Sequence, residues 1–250
     1  MNNLRIKHEN DAVFREGHFP SMRSVYYPAA PEVPVQVRTT FRAAAHLERS
    51  DTISAVLRHR GAHVCALNFA NANFPGGGYI LGGNAQEEAL CRASLLYYSI
   101  RTVHGYYRRN RLHVLPDYTD GMIWTHDVPV IRDNTGARLP EPMLCDFLTS
   151  PAVNRTVAKF LMTRRYLDRV MERRITGIIR LAAAVHPQVL ILGAYGCGEF
   201  GNKRERVYPM FEQAITQYLP DDITVIFADP ALSLQGGNPY GTDQNDNAPR

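Results

Sequence analysis

The 250-residue chain has one tryptophan, four cysteines and a formal net charge of only +4, and each scarcity narrows what it can be. Cys65, Cys91, Cys145 and Cys197 are scattered, with no C-x-x-C pair and no histidine at zinc-ligand spacing. Reduced, buried thiols are therefore expected and no metal site is. The longest apolar runs fall far short of the roughly 20 residues that a membrane span needs. The first residues carry Arg5, Lys7, Glu9 and Asp11 without an apolar segment, so no signal peptide and a cytoplasmic location are expected. Basic residues are dispersed apart from Arg164-Arg165 and Arg173-Arg174, pairs that suit the solvated face of a helix better than a nucleic-acid stripe. The nine histidines show no ligand spacing, and His126 beside Asp127 is expected to be a loop residue rather than a catalytic base.

What is present suits one large α/β domain, or two small ones, with a substantial core. Residues 1 to 36, with Pro20, Pro28, Pro31 and Pro34, are expected to wrap the rest, ending in a short strand around Val33 to Arg38. Thr40 to Arg58 has apolar residues at roughly helical spacing, with a break near Ser50. His63 to Phe69 predicts a buried strand, and Gln86 to about Thr102 a helix. Met122 to Trp124 and Val128 to Ile131 predict two short strands, with a turn at Arg132 to Gly136. Met143 to Thr149 predicts another strand. Asn154 to Val185 is expected to be helical with a break after Met162. Gln188 to Leu192 predicts a strand, Lys203 to Tyr218 a helix, and Ile223 to Asp229 a last strand. Residues 230 to 250 are polar and expected to form a flexible tail. Strands alternating with helices argue a mostly parallel sheet covered on both faces.

Two glycine-rich loops each follow a strand and precede a helix. Both should lie at the C-terminal edge of the sheet, where open α/β sheets bind ligands, and share one crevice. The second, Gly196-x-Gly198-x-x-Gly201, matches a dinucleotide fingerprint locally. Its position argues against that assignment, since only one helix and one strand remain before the tail. Its physical content survives: glycines at a helix N-terminus let amides approach a phosphate or diphosphate. The first loop joins Gly76-Gly77-Gly78 to Gln86-Glu87-Glu88, with Asn68, Asn71 and Asn73 alongside. It brings a permissive backbone and adjacent carboxyls to one helix start.

A triple glycine, a short spacer and Gln-Glu-Glu resemble the signature of poly(ADP-ribose) glycohydrolases of the smaller microbial type built on a macrodomain. Leu67 to Asn71, Leu90 to Tyr97, Val128 to Asp133, Ser150 to Asn154 and Leu192 to Asn202 resemble further blocks of that family in order. The resemblance covers roughly 37 to 229, the expected catalytic domain, with no correspondence in residues 1 to 36 or after Pro230. It implies a macrodomain-like three-layer α/β/α sandwich with a mixed, mostly parallel central sheet. Three positions depart from the pattern. Phe74 precedes Pro75 where relatives have a polar residue, Tyr195 stands where tryptophan is common, and Glu199 puts an acid inside the proposed diphosphate loop.

The resemblance implies hydrolysis of the ribose-ribose O-glycosidic bond of poly(ADP-ribose), releasing ADP-ribose, by a monomer that needs no cofactor. Glycosidases commonly flank the bond with two carboxyls about 5 to 10 Å apart. Neighbouring helix residues diverge by about 100°, so Glu87 and Glu88 cannot do so. Carried onto this chain, the family pattern makes Glu88 the general acid and then base, with Glu87 holding ribose hydroxyls. Keeping Glu88 protonated near neutral pH would require a dry carboxyl or the repulsion of Glu87. Gly76, Gly77, Gly78, Gly196 and Gly198 are expected to cradle the diphosphate and Asn71 to bind the distal ribose. Phe200 and Tyr79 are candidates for stacking, and Gln86, Cys197 and Gly201 complete the expected ligand-contacting set. Two other functions fit the same loops: a hydrolase of mono-ADP-ribosylated protein or nucleic acid, and a non-catalytic ADP-ribose reader, which the presence of both glutamates disfavours.

Overall fold

The computed structural model describes residues 2–19, 21–36 and 46–232. Its centre is a seven-stranded sheet in the order β1-β4-β5-β3-β6-β7-β2, formed by β1 (Arg23–Tyr27), β2 (His46–Glu48), β3 (Val64–Phe69), β4 (Met122–Arg132), β5 (Arg138–Ser150), β6 (Val189–Gly193) and β7 (Thr224–Ala228). The run β5-β3-β6-β7-β2 is parallel, while β1, β4 and β5 pair antiparallel. This is the mixed, mostly parallel sheet that the sequence predicts.

Period-two alternation gives each central strand two apolar faces. Cys65 and Leu67 of β3, with Leu190 and Leu192 of β6, pack under α7 (Arg164–Val185) and α8 (Arg204–Tyr218). Val64, Ala66, Val189 and Ile191 point to the opposite face. That face is covered by α2 (Thr52–Arg58), α3 (Gln86–Ala93), α4 (Leu96–Ile100) and α5 (His104–Leu112). Three layers result.

Several expectations need correction. The expected strand at Val33 to Arg38 has no regular structure over 33–36, and its last two residues lie outside the described ones. The N-terminal segment instead forms α1 (Asn3–Glu16), capped by Asn2, whose side chain accepts from the Arg5 amide. Within Thr40 to Arg58, a strand at 46–48 precedes α2, which starts only after Asp51 caps the Ser54 amide at 2.9 Å; residues 40–45 lie outside the described ones. The expected helix to Thr102 breaks at Ser94, where β4 reaches in: Ser94 bridges Val130 and the Leu95 amide donates to Pro129 O at 3.0 Å. The two short strands are one, β4, interrupted by a register shift at Asp127, whose φ is +54°. His126 therefore lies in a strand, its Nδ1 3.3 Å from Asp127. Arg174 is no wet-face residue. It is 1 % exposed and donates to Pro151 O, Asp117 O and Tyr118 O, fastening the 116–121 turn to the end of β5. The tail beyond 232 lies outside the described residues. No helix among those described is long and apolar enough to cross a membrane.

Candidate active site

The parallel register places Phe69, Ser150 and Gly193 at one edge of the sheet, and both glycine loops leave from that edge. Gln86 locks the start of α3 onto β3: its Oε1 accepts from Phe69 N at 2.9 Å and its Nε2 donates to Leu67 O at 2.8 Å. The Gln86 amide is thus spent on the scaffold, although the residue still lines the crevice.

The first loop is shaped by its own acceptors. Asn71 Oδ1 receives the amides of Asn73 and Phe74 at 2.9 and 3.0 Å, an Asx turn that reverses the chain ahead of the glycines. Gly76 and Gly77 have φ of +72° and +55°. A β-carbon on Gly77 would sit 2.6 Å from Glu88 Oε1 and 3.2 Å from Glu87 Oε2, so glycine is required for both its backbone and its lack of a side chain.

This loop grips carboxyls. Gly76 N donates to Glu87 Oε1 at 3.2 Å, Gly77 N to Phe74 O at 3.1 Å and Gly78 N to Glu88 Oε1 at 2.7 Å. All three amides are occupied, and the expected diphosphate cradle at Gly76 to Gly78 gives way to a carboxylate clasp. Tyr79, expected as a stacking candidate, is 1 % exposed and packs against Tyr97 with its hydroxyl near Asn10. It is core.

The two glutamates are differently placed. Glu87 is 2 % exposed; its Oε2 accepts from Asn71 N at 2.7 Å, and its Oε1 accepts from Asn68 Nδ2 at 3.3 Å as well as from Gly76. Burial pushes its carboxyl up to about 8, against the pull of these N–H donors. Glu88 also lines the crevice, and its Oε2 is buried with no hydrogen-bond partner. An ionised oxygen left so would be costly. It is suited to meet a ligand hydroxyl.

A consequence for stability follows from Glu87. The unfolded chain loses this proton near the ordinary value of 4.5, whereas the folded chain keeps it to about 8. Between those values the folded state binds the extra proton, so stability should fall as pH rises. Thermal unfolding from pH 5 to 8 is expected to show that decline in the wild type and a flatter profile in Glu87→Gln.

The second loop faces the first. Asn202 holds it: Nδ2 donates to Val153 O at 2.8 Å and Gly196 O at 3.1 Å, while Oδ1 accepts from Arg155 Nε at 2.7 Å. The Arg155 amide donates to Phe200 O at 2.8 Å. Tyr195 is fully buried and donates to Ser150 Oγ at 3.1 Å, tying the ends of β5 and β6 together. The amides of Gly198, Glu199 and Phe200 have no acceptor among the described residues. These three residues line the crevice, so the loop offers donors where an anion can sit. Glu199 shares that wall. Cys197 and Gly201, both expected as ligand contacts, do not line the crevice: the Cys197 thiol is pushed up to about 12 by burial, and Gly201 backs onto Thr156.

The crevice thus joins Asn71, Glu87, Glu88, Gly196, Gly198 and Phe200. Asn202, Arg155 and Asn10 were not singled out by the sequence. Asn10, on α1, braces the far side by donating to Arg92 O at 2.9 Å and accepting from Arg132 Nε at 3.0 Å. No group of side chains able to hold a metal occurs among the described residues.

The chain is similar to known proteins in sequence and in fold. The family model for the microbial-type PARG catalytic domain matches residues 5–133, beginning within the segment where the sequence alone shows no correspondence. The poly(ADP-ribose) glycohydrolase of Thermomonospora curvata bound to the inhibitor ADP-HPD is 28 % identical, with a TM-score of 0.78 over 94 % of this chain and 95 % of that one. The poly(ADP-ribose) glycohydrolase of Deinococcus radiodurans in complex with ADP-ribose is 27 % identical, with a TM-score of 0.69 over 91 % and 84 %. Curated protein sequences give no match. A matched family model over half the chain, the same fold over 94 % of it, and two acids clasped at one sheet edge lead to one conclusion: the chain belongs to the microbial-type poly(ADP-ribose) glycohydrolase family.

Proposed function

We propose that this chain, acting as a monomer, cuts the ribose-ribose O-glycosidic bond of poly(ADP-ribose) with Glu88 as its single working acid. The observation that carries the assignment is Glu88 Oε2, a buried oxygen without a partner in the wall of the crevice. Gly78 fixes the other oxygen at 2.7 Å, so the carboxyl is held in one orientation. In the proposed reaction Oε2 carries the proton, passes it to the leaving ribose oxygen as the oxocarbenium-like centre forms, and then takes a proton from the attacking water.

Glu87 has a different part. Three N–H donors already engage its carboxyl, which leaves a lone pair on Oε2 for a ribose hydroxyl and makes it chiefly the organiser of the Asn71 to Gly76 loop. Asn71, whose Oδ1 is taken by the turn, offers its Nδ2 to the distal ribose. The diphosphate lies against the amides of Gly198 to Phe200, and Phe200 faces the ligand. The negative diphosphate stabilises developing positive charge at the anomeric carbon, a part that a second carboxyl plays in ordinary glycosidases. Four free thiols support a reducing compartment such as the cytoplasm as the site of action.

Substrate class is tested by offering wild-type protein purified polymer and, separately, a mono-ADP-ribosylated protein. Release of ADP-ribose from the polymer, with the modified protein left intact, is expected; turnover of the modified protein alone would overturn the proposal in favour of a mono-ADP-ribosyl hydrolase. Asn202→Ala removes three loop contacts and should weaken ADP-ribose binding by roughly tenfold. Calorimetric titration with ADP-ribose reads that change directly.

A further inference from the structure

Behind the second loop the surface dips again. This depression, of about 360 Å³, is walled by Arg155, Thr156, Lys159, Arg164 and Gly201 with Met162 and Leu167 beneath. It adjoins the crevice directly, because Gly201 follows Phe200 and the Arg155 amide donates to Phe200 O. Its wall contains three cations and no carboxylate. Asp168, the acid that Arg155 meets, also accepts from Arg206 at 2.7 Å, so two arginines outweigh it. Lys159 and Arg164 are exposed and have no carboxylate partner among the described residues.

Next to Lys159 stands an exposed aromatic ring. Phe160 is 78 % exposed, with Lys159 Nζ 5.0 Å from its ring centroid, and Leu161 beside it is 67 % exposed. A cationic groove beside an exposed ring is how single-stranded polyanions that carry bases are held: phosphates meet the cations and a base stacks on the ring. The larger cavity beyond Tyr118 differs, since Asp117 and Asp120 stand in its wall beside the arginines.

We propose that the depression between α6 (Arg155–Ala158) and α7 is a second subsite for the polymer. It takes the diphosphate of the adjoining ADP-ribose unit on Lys159 and Arg164, with that unit's adenine on Phe160. The proposal rests on the polymer reading of the crevice and deepens it: affinity for a chain would exceed affinity for its monomer because two neighbouring sites are filled at once.

The test compares Lys159→Glu/Arg164→Glu and Phe160→Ala with the parent protein, all in a Glu88→Gln background so that bound polymer persists. Filter binding of long poly(ADP-ribose) is measured across a salt series, and monomeric ADP-ribose is titrated by calorimetry. The charge reversal is expected to weaken polymer binding at least about tenfold and to flatten the log-log salt slope by about 1.4, two phosphates at roughly 0.7 each. Phe160→Ala should cost about fivefold or more, the lower end of one base stack. Binding of ADP-ribose itself should stay within about twofold, since neither substitution touches the crevice. Unchanged polymer binding, equal loss for polymer and monomer, or equally effective competition by poly(A) RNA would each overturn the subsite. The same substitutions in the active protein should raise KM for polymer with little change in kcat. Should the wild type release no ADP-ribose, the hydrolase reading fails, while the binding comparison still decides the subsite.

Discussion

Glu88→Gln is expected to slow ADP-ribose release from polymer by about a thousandfold, within the range that proton transfer by a positioned group contributes, while ADP-ribose still binds. Glutamine has nearly the same shape and its amide oxygen can still accept from Gly78 N, the 2.7 Å contact that orients the carboxyl. What it lacks is a proton to give and a basic oxygen to take one back. The loss should therefore fall on kcat, with KM little changed. Because Oε2 makes no hydrogen bond within the protein, the substitution breaks none that stabilises the fold. Initial rates on polymer and calorimetry with ADP-ribose separate these effects. A variant that retained wild-type kcat would remove Glu88 from the chemistry.

Gly77→Ala should cost nearly as much by a different route. The new methyl would stand 2.6 Å from Glu88 Oε1 and 3.2 Å from Glu87 Oε2, too close for either carboxyl to remain where it is. Displacing a catalytic group by about 1 Å is enough for a hundredfold loss, and that is the drop in kcat expected here. Backbone strain alone does not explain such a loss, and Gly82→Ala provides the control. Gly82 also has a positive φ, +81°, but its added methyl would meet only Leu4 and Asn3 at ordinary contact distances from 3.6 Å. Both variants carry a left-handed alanine, whose backbone strain alone should cost each about 1 kcal/mol of stability. Only Gly77→Ala should lose the activity.

The central strands and both glycine loops were legible because their signals are local. Leu67 and Ala66, or Leu192 and Ile191, alternate between two apolar faces, a period that a sequence displays. Gln-Glu-Glu at the start of a periodic helix displays itself likewise. The partners of each group were another matter. The triple glycine announced open amides, but nothing local says that Glu87 and Glu88, eleven and ten residues on, take those of Gly76 and Gly78. Helix α1 escaped because only Ile6 and Asn10 of its fourteen residues are buried, so no apolar stripe marks it. Helix α5 escaped for a related reason: its buried side is Tyr106, Tyr107 and Asn110, aromatic and polar rather than aliphatic. Arg174 looked like half of a solvated pair. Its burial depends on three carbonyls, from Pro151, Asp117 and Tyr118, that only the tertiary fold gathers. Asn202 was visible as the end of a block, yet its hold on Val153, Gly196 and Arg155 joins segments about fifty residues apart by sequence.

The central claim is that the chain grips the diphosphate and breaks the glycosidic bond beside it. Digesting purified poly(ADP-ribose) with the wild-type protein and weighing the products by mass spectrometry tests it most directly. Cleavage between riboses leaves every diphosphate whole, so intact ADP-ribose is the expected product. Phosphoribosyl-AMP, which arises when the diphosphate itself is cut, or a polymer left unchanged, would contradict the account.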